Sequence, residues 1–258
     1  MIKKTKVAMS IGDLHYPLHI DLQPFLDYGH YLRPDYVNLM GDMLDLEVIS
    51  HHAKDDFKNV GFDNIKKEFH DIIEKFRGIL DMFRLCFPKA KITLVPGNHE
   101  EWLCQFASEF PQLWKDLDRE SSQHTLEALL CSKKLGIDVL PFGEAFNIGK
   151  LYFRHGHEYG TMFPAKQAVL RSHKSIAIWH HHTRQTFTTH SDIDDDEFVG
   201  FAVPCYCTKA MKYGKGSPNR WSNGFLWSVH KDSGNFTAGV ITTSRKGHFM
   251  VPNGEEYT

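Results

Sequence analysis

The stretch DYVNLMGDMLD, residues 35–45, is a short apolar run that halts at Gly41 and then presents two carboxylates, Asp42 and Asp45. A run of that length bounded by a breaker reads as a buried strand delivering a polar loop. The same design stands upstream in KVAMSIGDLH (6–15), which ends in Asp13 and His15. It recurs downstream in KITLVPGNHE (91–100), where Pro96-Gly97 stops the run before Asn98 and His99. Between the last two, Ile65, Phe69, Ile72, Phe76, Ile79, Leu80 and Phe83 recur at three- and four-residue steps, the pattern of a long amphipathic helix. Strands alternating with helices predict βαβ units.

Further along, residues 100–134 read as mainly helical, punctuated by Pro111. LGIDVLPF, AFNIG and LYFRHG read as short strands, PAKQAVLRSH as a helix, and SIAIW (175–179) as the next strand. From about 184 to 258 the chain is strand-rich, in RQTFTTH, FVGFAVPC, NGFLWSVH, FTAGVIT and GHFMVP. No repeat, linker or low-complexity tract interrupts it. The economical expectation is one α/β domain over residues 1–258, two sheets flanked by helices, with a helical insert at about 100–134.

Bulk properties exclude several classes. The 258 residues are 41% hydrophobic and 24% charged, as in an ordinary globular protein. A net charge of −2 supplies no global field toward nucleic acid or membrane, so an anionic partner must be held locally. Cys86, Cys104, Cys131, Cys205 and Cys207 are odd in number and lack C-x-x-C spacing, so all five are expected reduced and structural. The N-terminal apolar run is too short for a signal peptide or anchor, and the expected compartment is the cytoplasm, with no membrane partner. DIDDDE (192–197), the one charge run, reads as a solvated loop. The anomaly is 17 histidines, which calls for a chemical account.

That account lies at the strand ends, where α/β sheets place their sites. Asp13 and His15, then Asp42 and Asp45, Asn98 and His99, and His155 in RHGH each follow an apolar run. WHHHTRQ (179–185) supplies a fifth loop. In an extended segment side chains alternate faces, so His180 and His182 would point one way and His181 the other.

The series D-x-H, G-D-x-x-D, G-N-H-E, H-G-H and H-x-H, in that order over residues 7–183, resembles the calcineurin-like metallophosphoesterase superfamily, in its compact bacterial and phage form. The resemblance implies a four-layer αββα fold and a dinuclear site. Asp13, His15 and His182 would bind one metal, Asn98, His155 and His180 the other, and Asp42 would bridge them. Two divalent ions roughly 3.5–4 Å apart would activate a water to hydroxide near neutral pH and bind the phosphoryl oxygens. Mn2+ is the expected ion, with Fe or Zn2+ also suited to mixed His, Asp and Asn ligation; the absence of thiolate argues against a structural zinc. His99 would face the leaving group as acid or electrostatic stabiliser, with Asp45 hydrogen-bonding it and favouring the imidazolium. Glu100 is expected only to start a helix, His157 to sit behind the ligands, and His51 and His52 to face solvent.

Two positions depart from the pattern. The last motif usually reads G-H-x-H, and Trp179 replaces its Gly; a bulky residue there needs negative φ or a rearranged turn, with His181 as the fallback ligand. The Ser/Thr protein phosphatase branch carries Arg after the second Asp of its G-D motif, and here that residue is Leu46.

The expected function is metal-dependent phosphoester hydrolysis, leaning to a phosphodiesterase on nucleotides or nucleic acid. A phosphomonoesterase and a non-catalytic scaffold of the same fold are the alternatives. KAMKYGKGSPNRW (209–221) sets Lys209, Lys212, Lys215 and Arg220 among Tyr213, Trp221 and glycines, a mixture that can track a phosphate backbone and stack bases. It can equally be a solvated loop. Arg184 is the cation nearest in sequence to the last ligand and a candidate for gripping a phosphate oxygen.

Overall fold

The computed structural model describes residues 5–50, 62–117, 125–191, 193, 196–208 and 221–258. His51, His52, Lys209, Lys212, Tyr213, Lys215, Arg220 and, within DIDDDE, Asp192, Asp194 and Asp195 lie outside the described residues.

The expected strands and helices form two sheets. In the first, strands β1 (Lys6–Ile11), β2 (Tyr36–Leu39), β3 (Lys91–Leu94) and β4 (Ile137–Val139) run parallel in that order. Beyond β1 the same sheet is completed, antiparallel, by β10 (Asn223–His230) and β11 (Phe236–Thr243). The second sheet takes β5 (Phe146–Ile148), β6 (Leu151–Arg154), β7 (Ser175–Ile178), β8 (Gln185–His190) and β9 (Glu197–Ala202) in the order β5-β6-β7-β9-β8. Its middle strands β6, β7 and β9 are parallel. A short pair, β12 (Phe249–Met250) and β13 (Glu256–Tyr257), stands apart.

Pleating divides the apolar residues between layers. Ala8, Leu151, Phe153, Ala177, Phe201 and Leu226 meet between the two sheets with Met40, Val95 and Trp179. Their strand neighbours Met9, Ile11, Val37, Leu39, Ile92 and Leu94 face the opposite side, onto helices. Those helices are α1 (Gln23–Leu32), α2 (Phe62–Cys86), α3 (Asn98–Glu109), α4 (Pro111–Leu117) and α5 (Leu126–Leu129). All seven of the periodic apolar residues of α2 are buried there. On the far side, α6 (Pro164–Ser172) packs Ala165, Ala168 and Val169 on Ile176, Ile178 and Ala202. The result is helices, sheet, sheet, helix, the four-layer αββα arrangement. No helix among the described residues is long and apolar enough to cross a membrane.

Trp179 is a core residue of this sandwich. It is fully buried and among the largest side chains enclosed between the sheets. Its partner is Gly12, where a Cβ would stand 2.7 Å from the indole Cδ1. A missing side chain on β1's exit loop therefore makes room for a large one on β7's exit. Trp179 is not among the residues of positive φ, so its side chain meets no left-handed strain; the reversal falls on the histidines after it.

Candidate metal centre

Strands β1, β2, β3, β6, β7 and β9 of the two sheets end at one edge of the sandwich, and their exit loops interlock. Asp13 N donates to Gly41 O (2.9 Å), His15 N to Asp42 O (2.9 Å), and Trp179 N to His155 O (2.8 Å). His180 N donates to the Asp13 carboxylate (3.0 and 3.2 Å), tying the second sheet's loop to the first's. Glycines permit this closeness: a side chain on Gly41 would run into the His155 ring, and one on Gly97 into Asp42.

The loops bring the predicted ligands into two groups. In one, His15 Nε2 and His182 Nε2 stand 3.2 Å apart and His182 Nε2 lies 3.4 Å from Asp13 Oδ1. In the other, His155 Nε2 lies 3.2 Å from Asn98 Oδ1, with His180 beside it, ring centroids 5.3 Å apart. Asp42 Oδ2 reaches both, at 3.2 Å from His155 Nε2, 3.9 Å from His180 Nδ1 and 4.0 Å from His15 Nε2. Asp13, His15, Asp42, His155 and His182 are buried; Asn98 and His180 keep partial access to solvent.

The expected alternation of an extended H-H-H has a different origin. His180 (φ 67°) and His182 (φ 56°) are both left-handed, so the segment kinks twice instead of running straight. His180 and His182 still reach the carboxylates. His181 turns toward the Gly156 backbone, and burial, then His180, hold its pKa down at about 4.

The donor set fits cations. The His155 Nδ1 stands 2.9 Å from Met40 O, which fixes that nitrogen as the protonated one. Its Nε2 lone pair then meets two further acceptors, Asn98 Oδ1 and Asp42 Oδ2, each at 3.2 Å. Three converging acceptors require a positive charge between them. Without a metal that charge is a proton. Burial lowers the His155 pKa, but Asp42 outweighs it and lifts the pKa to about 10. Burial likewise opposes, and Asp13 overcomes it, to raise His182 to about 9. Each group thus holds one histidine raised by its carboxylate. Nitrogen and oxygen atoms bound to one ion at about 2.1 Å stand roughly 3.0–3.4 Å from one another, the spacing seen within each group.

His99 and Asp45 sit against the first group. Asp45 Oδ1 is 3.6 Å from His99 Nδ1 and 3.4 Å from His15 Nδ1, so the carboxylate is shared between the two rings. The His99 ring packs against Trp102, tilted by 34°, at 4.0 Å between centroids. The expected imidazolium is not what this environment favours. Burial is the dominant influence and, with His15, outweighs Asp42 and Asp45, setting the His99 pKa at about 4. His157 stacks on Phe142, half-buried, with His180 6.2 Å away.

Two residues have larger parts than the sequence suggested. Glu100 is buried, and its carboxylate accepts the N–H groups of Asp42 (2.9 Å), Leu44 (2.9 Å) and Gly97 (2.7 Å). It therefore clamps the β2 loop to the start of α3, beyond opening the helix. Burial and then Asp42 push its pKa up to about 7, against those donors. With three N–H groups aimed at its oxygens, the ionised form is the one the geometry accommodates. The other residue is Cys207, whose sulfur belongs with His15 and His182 to a trio of donor atoms all within 4.8 Å of one another. The expectation that no thiol accompanies the ligands is corrected: its neighbour strand β9 ends at the same edge as β7.

Residues 9–202 match the calcineurin-like phosphoesterase family. The chain belongs to that family. Its chemistry is metal-dependent phosphoester hydrolysis, so the chain's class is hydrolase and its cofactors are divalent metal ions. No curated protein matches the chain significantly. Among solved structures, the chain is similar to a conserved uncharacterized protein, a predicted phosphoesterase, of Streptococcus pneumoniae TIGR4. The two share 9% identity over 98% of each chain, with a TM-score of 0.38. A second crystal structure aligns at 11% identity over 92% of this chain and 99% of the other, with a TM-score of 0.39.

Arg184 does not join the ligand groups. It is exposed and lines a cleft with Trp227, Ile241 and Met250, to which none of the predicted ligands contributes. Arg184 directly precedes β8, the outer strand, at the start of the segment that leads away from the ligands.

Proposed function

We propose that this phosphoesterase holds two divalent ions and acts on phosphodiesters of nucleotides or nucleic acid. The single observation that carries the two-ion reading is Asp42. One oxygen, Oδ2, faces histidines of both groups, while Oδ1 accepts the His99 N–H at 2.9 Å and so fixes the carboxylate's rotation. Asp13, His15 and His182 would hold one ion, Asn98, His155 and His180 the other. Mn2+ is our first choice for the pair, with Fe and Zn2+ also suited to these donors. Bound there, the ions supply Lewis acidity toward water and toward phosphoryl oxygens.

The chain's own residues do the rest. Asp45 orients His99, which stands on the first turn of α3 beside the ligands and serves the leaving group. As a neutral imidazole, His99 acts there through its N–H as a hydrogen-bond donor. The diester preference is supported by charge. Among the described residues, the ion pairs of Asp13 and Asp42 are all with histidines. Leu46, where the protein-phosphatase branch has Arg, is sealed in the core. A diester monoanion needs less cationic neutralisation than a monoester dianion. Lys209, Lys212 and Arg220 remain our candidates for contacts to a phosphate backbone, because the segment carrying them is flanked by Cys207 and by Trp221, whose ring stands 4.2 Å from His182.

The test is hydrolysis by Mn2+-loaded protein. Bis(p-nitrophenyl) phosphate should turn over faster than p-nitrophenyl phosphate. A reversed preference would make the protein a monoesterase. No turnover of either, nor of nucleotides or single-stranded DNA, would reduce it to a scaffold.

A further inference from the structure

Cys207 belongs to none of the strand-end motifs, yet the fold drives it into the first ligand group. β9 lies beside β7 and parallel to it, so the loop after β9 emerges next to His180 and His182. That loop is stitched to the loop bearing Asp13 and His15. Tyr206 N donates to Asp13 O (3.1 Å), Ile20 N to Tyr206 O (3.0 Å), and Thr208 N to Leu18 O (2.7 Å). Asn223 Nδ2 donates to Cys207 O (2.7 Å), closing the loop from the other side. Cys207 is fully buried, as are His15 and His182 nearly so, and the three donor atoms fall within 4.8 Å of one another. Cys205 lies on the far side of that thiol: the two side chains hydrogen-bond each other, and the Cys205 sulfur also donates to Ser222 O at 3.3 Å and lies 3.6 Å from Asn223 Nδ2.

We propose that Cys207 is a thiolate ligand of the metal held by Asp13, His15 and His182. This rests on the two-ion reading above and makes its two positions chemically unequal. The thiol proton leaves to solvent as the sulfur ligates. The first position then carries two full anions, Asp13 and Cys207, plus a share of Asp42. The second has only its share of Asp42, with neutral Asn98, His155 and His180. Soft sulfur biases the first position toward Zn2+, Fe2+ or Co2+ and holds its ion more tightly; the second keeps the harder, more electrophilic character that suits Mn2+.

Cobalt substitution tests this without reference to turnover. Two Co2+ per chain are expected, with a near-ultraviolet thiolate-to-cobalt charge-transfer band. That band should vanish in Cys207→Ser and persist in Cys205→Ser. X-ray absorption at the cobalt edge of the unmutated protein should show one sulfur neighbour at about 2.3 Å, so the assignment does not depend on the variant folding. Two bound Co2+ with neither band nor sulfur neighbour would overturn Cys207 as a ligand and leave the two-ion site standing. One bound Co2+ with the band and the sulfur would uphold Cys207 and remove the second position. No bound Co2+ would remove both.

Discussion

Replacing Glu100 by Gln should loosen the metal site from outside it. The carboxylate accepts three buried N–H groups, two on Oε2 from Asp42 and Gly97 and one on Oε1 from Leu44. An amide has one oxygen. Its best placement keeps the Asp42 and Gly97 bonds and turns the NH2 against the Leu44 N–H, leaving a buried donor without an acceptor. That costs about 1–3 kcal/mol. Glu100→Ala orphans all three donors, at a cost on the order of 3–9 kcal/mol by the same reckoning. Because Asp42 sits on one side of the clamp and Asn98 on the other, part of this loss falls on metal binding. The loss expected in Gln is about 10- to 100-fold in affinity, the range seen when a group orienting a ligand is removed. Chelator-competition titration with Mn2+ measures it, beside a thermal melt of the chelator-treated protein. A Gln variant that binds Mn2+ as tightly as the parent would refute the clamp. An Ala variant that melts earlier but keeps its affinity would reduce Glu100 to a helix cap.

Trp179→Gly, which restores the common G-H-x-H, should destabilise by about 3–5 kcal/mol because it empties a core position between the sheets; a melt unchanged within error would contradict the pairing with Gly12. Asp42→Asn should abolish turnover and deplete metal, whereas His99→Ala should keep both ions by elemental analysis and slow hydrolysis most for poor leaving groups; loss of metal in the latter would make His99 a ligand. The pH dependence has two signs. His155 and His182 rise from 6.5 to about 10 and about 9, so their contribution is full below pH 6.5 and lost as pH climbs through those values. His15 and His99 fall from 6.5 to about 4, so stability is lost as pH drops below 6.5. Chelator-treated protein should therefore melt highest near neutrality, and Mn2+ should flatten the alkaline limb by taking the place of the two protons. Equal alkaline slopes with and without Mn2+ would contradict protons standing in for metal at His155 and His182.

What could be read from the sequence was whatever is written within one loop. Each candidate ligand follows its own apolar run, so Asp13, Asp42, Asn98, His155 and His182 could be nominated without knowing how the strands pair. Helix α1 was not: Pro24 at its start and Gly29 within it mask its pattern, though both serve the fold. A Cβ at Gly29 would run into Phe87. The placements of Cys207 and Arg184 were not legible, for the opposite reason. Sequence distance to His182 favours Arg184, but the order β7-β9-β8 places the end of β9, with Cys207, beside the histidines and sends Arg184 to the rim. Strand order in a mixed sheet depends on long-range pairing that no local pattern records. Glu100 illustrates a third case, in which the helix-start reading was right and incomplete, since its other two donors come from a loop more than fifty residues away.

The backbone itself supports the assignment of the ligands. Asp13, His15, Asp42, His180 and His182 all have positive φ, at 49°, 46°, 46°, 67° and 56°. Asp and His tolerate this region better than most residues, yet each such position costs on the order of 1–2 kcal/mol against an ordinary conformation. A fold selecting only for stability would place glycine there, as it does at Gly41 and Gly156. The left-handed step turns the chain back within a residue or two of the strand end, aiming the side chain at the edge where the two sheets meet. Backbone bonds between the exit loops hold the reversals in place, so the fold itself positions the candidate ligands. Arg33, Cys131, Phe163 and His173 share the positive φ but lie at helix ends; the other five such non-glycine residues among those described are all predicted ligands, on both sheets, and that clustering is what a preorganised binding site requires. A set of structural ion pairs would have no need of it.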